Sequence, residues 1–134
     1  MPPLEKVEGI GSKYPQQLRE AGGATTDELL SKGATPKGRQ ALADITSISS
    51  KLILEWVNHV DLFRIDGVGE EYADLLEEAG VDTIPELAQR NAENLHAKLE
   101  EANRKKKLVR QLPSETQVAK WIEQAGKLPR VITY

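Results

Sequence analysis

The chain states the same phrase twice: residues 4–34 align without a gap on residues 62–92, and twelve of the 31 pairs are identical. The identities include Gly9/Gly67, Gly11/Gly69, Tyr14/Tyr72, Leu18/Leu76, Ala21/Ala79, Gly22/Gly80, Thr25/Thr83 and Leu29/Leu87. These are turn formers, apolar anchors and helix caps, residue types that set a backbone path and not a reaction. What was duplicated is a fold element, so the chain is expected to be two related halves, residues 1–61 and 62–134, joined as one globular domain. With 134 residues and 39% apolar content it can bury one modest core or two small ones.

Helical periodicity runs through both copies. Leu4 and Val7 (Leu62 and Ile65) fit a short helical turn, and the chain reverses at Gly9-Ile10-Gly11 (Gly67-Val68-Gly69). The next helix carries Tyr14, Leu18 and Ala21 (Tyr72, Leu76 and Ala79) on one face and stops at Gly22 (Gly80), suited to a left-handed cap. Thr25-x-x-Glu28 and Thr83-x-x-Glu86 then have capping-box form. Between the copies, Thr35-Pro36 opens a short helix over Lys37 to Ile45, in which Gly38 is a poor helix former.

Leu52, Ile53, Trp56, Val57 and Val60 form the stripe of a further helix that serines near Ser47 to Ser50 start. Leu95, Leu99 and Ala102 support another from Asn91 to about Val109. Ser114-x-x-Gln117 caps a last helix carrying Val118, Trp121, Ile122 and Ala125, with Gly126 as its expected end and Pro129 barring continuation. The final Val131-Ile132-Thr133-Tyr134 is β-branched and is expected to pack as an extended segment. The reading is an all-α chain of roughly eight to ten short helices, with both tryptophans as core anchors and both tyrosines in the seam between hairpin helices.

Charge is segregated. The net value of −3 conceals −1 over residues 1–61, −8 over residues 62–103 and +6 over residues 104–134. A basic segment of this kind either contacts a polyanion or neutralises the acidic repeat beside it. Cysteine is absent, which excludes disulfides and thiolate metal sites. No apolar run approaches the ~18 residues of a membrane span, so a soluble cytoplasmic protein with no membrane partner is expected. His59 and His96 have no ligand-spaced partner, and no P-loop, serine-histidine-acid set or nucleophilic cysteine is present. We therefore expect no enzyme activity, no catalytic residues, no metal, no cofactor and no small-molecule substrate.

The apolar-x-Gly-apolar-Gly corners Val7-Glu8-Gly9-Ile10-Gly11 and Ile65-Asp66-Gly67-Val68-Gly69 resemble the helix-hairpin-helix motif, and Leu18-x-x-Ala21-Gly22 and Leu76-x-x-Ala79-Gly80 extend the likeness. Together with Thr-x-x-Glu and the Ala34-Thr-Pro-Lys-Gly-Arg39 stretch, they are similar to the domain of unknown function DUF4332. The resemblance implies a pseudo-twofold tandem helix-hairpin-helix array of the SAM-like kind. It also implies a sequence-independent grip on DNA, in which glycine-exposed amides at a helix start meet a phosphate.

Carried over, the amides of Gly9, Ile10 and Gly11 face the phosphate, with charge from Lys13 and Lys6. The second corner, Gly67, Val68 and Gly69, is expected to be structural only, because Asp66, Glu70, Glu71 and Asp74 surround it with like charge. Arg104, Lys105, Lys106, Lys107 and Arg110 form a second basic element. Roughly three to five phosphates would be neutralised in total, giving weak, salt-sensitive binding. The alternative is a protein-interaction adaptor whose repeat seam and acidic second half receive a partner.

Overall fold

The computed structural model describes residues 3–7 and 10–134. Among them are eight α-helices and no strand: α1 (Pro15–Glu20), α2 (Thr26–Lys32), α3 (Pro36–Thr46), α4 (Ser50–Leu62), α5 (Glu70–Glu78), α6 (Ile84–Ala88), α7 (Ala92–Lys106) and α8 (Glu115–Lys127). A 3-10 turn at Leu4–Lys6 precedes α1. The chain divides into two units, the first being Met1–Asp61 with Val131–Tyr134 and the second Leu62–Arg130. The boundary falls where the repeat places it, but the last four residues belong to the first unit and not to the second.

Inside each unit the duplicated residues make duplicated bonds. Val7 N–H donates to Leu4 O at 3.1 Å and Ile10 N–H to Val7 O at 3.0 Å; Ile65 to Leu62 and Val68 to Ile65 repeat the pair at 3.1 and 3.0 Å. Leu4, Val7, Ile10, Ile65 and Val68 are buried, so the turn is anchored by its apolar side chains while its backbone is internally bonded. At the end of the next helix Gly22 and Gly80 take φ of 90° and 94°, a region that a side chain makes strained by roughly 1–2 kcal/mol. The amides that follow close the same loop: Gly23 donates to Leu18 O at 2.7 Å and Val81 to Leu76 O at 2.9 Å.

Capping residues start the helices as their types require. Thr25 accepts from Glu28 N at 3.1 Å and Thr83 from Glu86 N at 3.2 Å, while the Glu28 carboxylate reaches back to Ala24 N. Thr35 caps α3, Asn91 caps α7 and Ser114 caps α8, each accepting from the amide three residues on. Ser49 accepts from Leu52 N at the start of α4.

Two helix ends differ from the sequence reading. α7 stops at Lys106 and not near Val109, because Lys107 turns left-handed (φ 52°) and Asn103 ties both the N–H and the carbonyl of Val109. α8 runs through Gly126 to Lys127 and ends where Leu128 becomes extended ahead of Pro129.

The Ala34 to Arg39 stretch acquires a physical reason. A Cβ on Gly38 would stand 1.9 Å from Lys32 O, so only glycine lets α3 leave the end of α2 this tightly. The next residue, Arg39, is 5% exposed and donates to Gly33 O at 2.9 Å and Thr133 O at 2.7 Å.

Each unit also holds one tyrosine against one tryptophan. The Tyr14 and Trp56 rings are 5.1 Å apart and tilted by 50°, and those of Tyr72 and Trp121 are 5.2 Å apart and tilted by 55°. Both indoles are buried as core anchors. The tyrosines thus pack on the indoles of α4 and α8, partners outside the 31-residue phrase.

Candidate nucleic-acid interface

The first corner is the one whose sequence suits an anion. Gly9 lies outside the described residues, so the geometry begins at Ile10. Its side chain is buried and its N–H is already donated to Val7, which removes it from the amides expected to face a phosphate. Gly11 is exposed in the left-handed region (φ 53°), and a Cβ there would meet nothing within 4 Å.

Ser12 and Lys13 are exposed and their amides find no acceptor among the described residues. Helix α1 starts only at Pro15, since proline has no N–H to make a first helical bond to Gly11 O, the counterpart of the bond that Ala73 N–H makes to Gly69 O at 2.9 Å. Lys13 Nζ stands 5.1 Å from the centre of the Tyr14 ring, and Lys6 is exposed in the preceding turn. Nearby, Arg19 pairs with Glu5 at 2.7 Å. The Glu5 carboxyl is held below its ordinary value, first by a backbone hydrogen bond and then by Arg19.

The second corner is also exposed at Asp66, Gly67 and Gly69, but α8 packs beside it. Gly67 takes φ of 88°, and a Cβ there would be 3.4 Å from the Trp121 indole nitrogen and 3.5 Å from the Gln117 amide nitrogen. Gln124 on α8 accepts from Asp66 N–H through its carbonyl oxygen and donates to the Asp66 carboxylate at 3.2 Å. Val68 is buried and Gly69 is the extended N-cap of α5, whose first turn is Glu70-Glu71. Tyr72 adds a hydrogen bond from its hydroxyl to Gln111 O at 2.9 Å. Sequence reasoning missed the Gln124 clamp, because a glutamine on a helix face 58 residues away carries no local signal.

The basic run lies on the last turn of α7 and beyond it, in the other unit from Lys6 and Lys13. Most of it is already answered by carboxylates. Arg104 pairs with Glu100 at 3.2 Å, Lys105 with Glu101 at 3.1 Å, and Lys106 with Glu78 of α5 at 3.8 Å. All are exposed pairs, worth about 0–1 kcal/mol, and exchangeable for a stronger anion. Lys107 and Arg110 have no ion pair among the described residues.

Two shallow grooves flank α7. One of about 480 Å³ lies along Glu93, His96, Glu100, Arg104 and Glu115, and one of about 280 Å³ along Glu78, Lys98, Glu101 and Lys105. Their linings mix both signs of charge. Among the described residues no group of three or more histidine or acidic side chains is placed to hold a metal ion. His59 lies buried in the first unit and His96 half-buried in the second. No helix of the described residues is long and apolar enough to cross a membrane.

The family model for a domain of unknown function, DUF4332, matches residues 8–128. The chain belongs to the DUF4332 family. The match takes in residues 8–34 of the first copy, all of the second copy, the Ala34 to Arg39 stretch, the Tyr–Trp pairs and the basic run. No curated protein and no solved structure matches the chain significantly.

Proposed function

We propose that this DUF4332 chain is a non-catalytic module that contacts nucleic-acid backbone weakly and without reading sequence. The contact is made by the first corner, through the amides of Gly11, Ser12 and Lys13 with the charges of Lys6 and Lys13. Lys107 and Arg110 supply a second patch, and Arg104, Lys105 and Lys106 join it by exchanging their carboxylates for phosphate. The reading is a helix-hairpin-helix type of grip used on one side only. One observation carries it: both corners are exposed, but the first presents Gly11 to Lys13 with the charges of Lys6 and Lys13, whereas the second presents Glu70 and Glu71 with its Asp66 amide already taken by Gln124. Open amides of a turn attract an anion, whereas a carboxylate cluster repels it by more than two or three hydrogen bonds return.

The test is duplex DNA binding by fluorescence anisotropy as a function of salt. Contact with about two to four phosphates gives a log–log slope of about −2 to −4. Lys13→Glu should lower the affinity several-fold and Glu70→Lys should raise it; equal and negligible effects reject this geometry. A second reading, a protein-binding adaptor, is favoured by the carboxylates that already pair with three of the run's cations. In that case duplex, single-stranded DNA and RNA all fail to bind at low salt.

A further inference from the structure

Residues 131–134 follow the second unit in sequence yet are built into the first. The way they are held is that of a bound peptide. Thr133 N–H donates to Ala34 O at 2.8 Å, and the Thr133 carbonyl accepts from Arg39 at 2.7 Å, so the slot reads both polar groups of one extended residue. On either side of that residue a side chain is recognised. Ile132 is 3% exposed, and the Tyr134 hydroxyl donates to Asn58 on α4 at 2.8 Å. The Tyr134 ring also lies against the Arg39 guanidinium, 5.9 Å from its centre.

Arg39 is the unusual part. Its guanidinium is buried, and among the described residues it is paired with no carboxylate; carbonyl oxygens and an aromatic ring answer its charge. A buried cation of this kind is strongly unfavourable once an acceptor is withdrawn, so the slot requires an occupant. The present occupant is a four-residue segment outside the helices, held by one deeply buried side chain and a few hydrogen bonds, and a local opening can release it with the helices still folded.

We propose that this slot, formed by Gly33, Ala34, Arg39 and Asn58, is a binding site for an extended peptide segment of Ile-x-Tyr pattern from a partner protein. In the free chain residues 131–134 fill it in cis. Main-chain hydrogen bonds give the affinity, and the burial of Ile132 with the Asn58 contact of the largely exposed Tyr134 gives the pattern. A covalently attached occupant acts at an effective concentration in the millimolar range, so it holds weaker partners off. The site is independent of the nucleic-acid contact above, and shares no residue with it.

The experiment uses a fluorescein-labelled peptide with the sequence of Leu128–Tyr134 and the full chain carrying Ile132→Asp, which ejects the cis occupant. That variant should bind the peptide saturably and at least tenfold more tightly than the parent chain does. Adding Arg39→Gln should weaken binding tenfold or more, as should the same Ile→Asp change within the peptide. No binding by the variant, or equal binding by both chains, overturns the proposal. Should Ile132→Asp fail to fold, hydrogen exchange on the parent chain decides. A Thr133 amide that opens at least tenfold more often than the α4 core amides supports a releasable segment. One that opens only with global unfolding overturns it.

Discussion

The two corners have the same backbone hydrogen bonds and opposite surroundings. In both, a buried residue at the turn donates three residues back, as Ile10 does to Val7 and Val68 to Ile65. Beyond that they diverge. Pro15 delays α1, leaving Gly11 left-handed and Ser12 and Lys13 exposed, whereas α5 starts at Glu70, the position equivalent to Ser12, on an extended Gly69. Gln124 then ties down Asp66 at the second corner. The comparison teaches that apolar anchors determine the turn, while one proline and one distant glutamine decide what the turn offers to solvent.

The strongest way to break this equivalence is to remove the indoles. Trp56→Ala and Trp121→Ala should each cost about 3–5 kcal/mol in urea denaturation, because each deletes a buried ring together with its tyrosine contact. A loss below about 1 kcal/mol in either would mean that the Tyr–Trp pairs are not equivalent supports.

Next come Gly22→Ala and Gly80→Ala, each expected to destabilise by about 1–2 kcal/mol through the left-handed backbone. The added methyl at Gly22 also meets Lys32 Cε at 2.7 Å, but that is the end of a flexible side chain and can swing away. The two melting shifts should therefore agree closely.

Gln124→Ala sharpens the contrast in solvent. It should cost about 1 kcal/mol for the lost Asp66 hydrogen bonds and leave DNA affinity unchanged, since the carboxylates remain. A gain in affinity as large as that of Glu70→Lys would show that the clamp, and not the charge, excludes the anion.

Pro15→Ala should let α1 begin near Ser12, seen as new protection of the Gln16 and Gln17 amides in hydrogen exchange, with a stability change under about 1 kcal/mol. Unchanged exchange would place the difference between the corners elsewhere.

The smallest effect concerns Glu5, whose counterpart in the second copy is Phe63. Its carboxyl is held below 4.5, so its contribution is present above that value and fades as pH falls through the lowered one. Comparing Glu5→Gln with the parent from about pH 6 to about pH 3, any difference in thermal midpoint should shrink toward the acid end.

Much of the helical path was legible, because it rests on local chemistry. Thr25, Thr83, Thr35 and Ser114 cap the helices that their types announce, and Gly22 and Gly80 take the left-handed turns expected of them. The ends of α7 and α8 were misjudged where a non-local or unusual partner intervenes: Asn103 holds Val109, and Gly126 stays helical. At the candidate interface, the exposure of Lys6, Lys13 and Arg110 accords with their type, but Ile10 was expected to offer an amide that its own turn consumes. The i,i+4 spacing of Glu100 with Arg104 and of Glu101 with Lys105 is a signal in the order of residues for two of the run's ion pairs, whereas nothing in it shows that Lys106 meets Glu78 on another helix.

By itself, then, the order of residues determined the duplication, the helical class, the caps and the contrast in charge between the corners. Each follows from a side chain acting on backbone or neighbours within a few positions. The tertiary structure alone decided that Tyr14 and Tyr72 find indoles on α4 and α8, that Gln124 takes up Asp66 of the second corner, and that residues 131–134 return to Ala34 and Arg39. Those contacts join residues 42 to 99 positions apart, and such pairings depend on which surfaces remain once every helix has buried its apolar face.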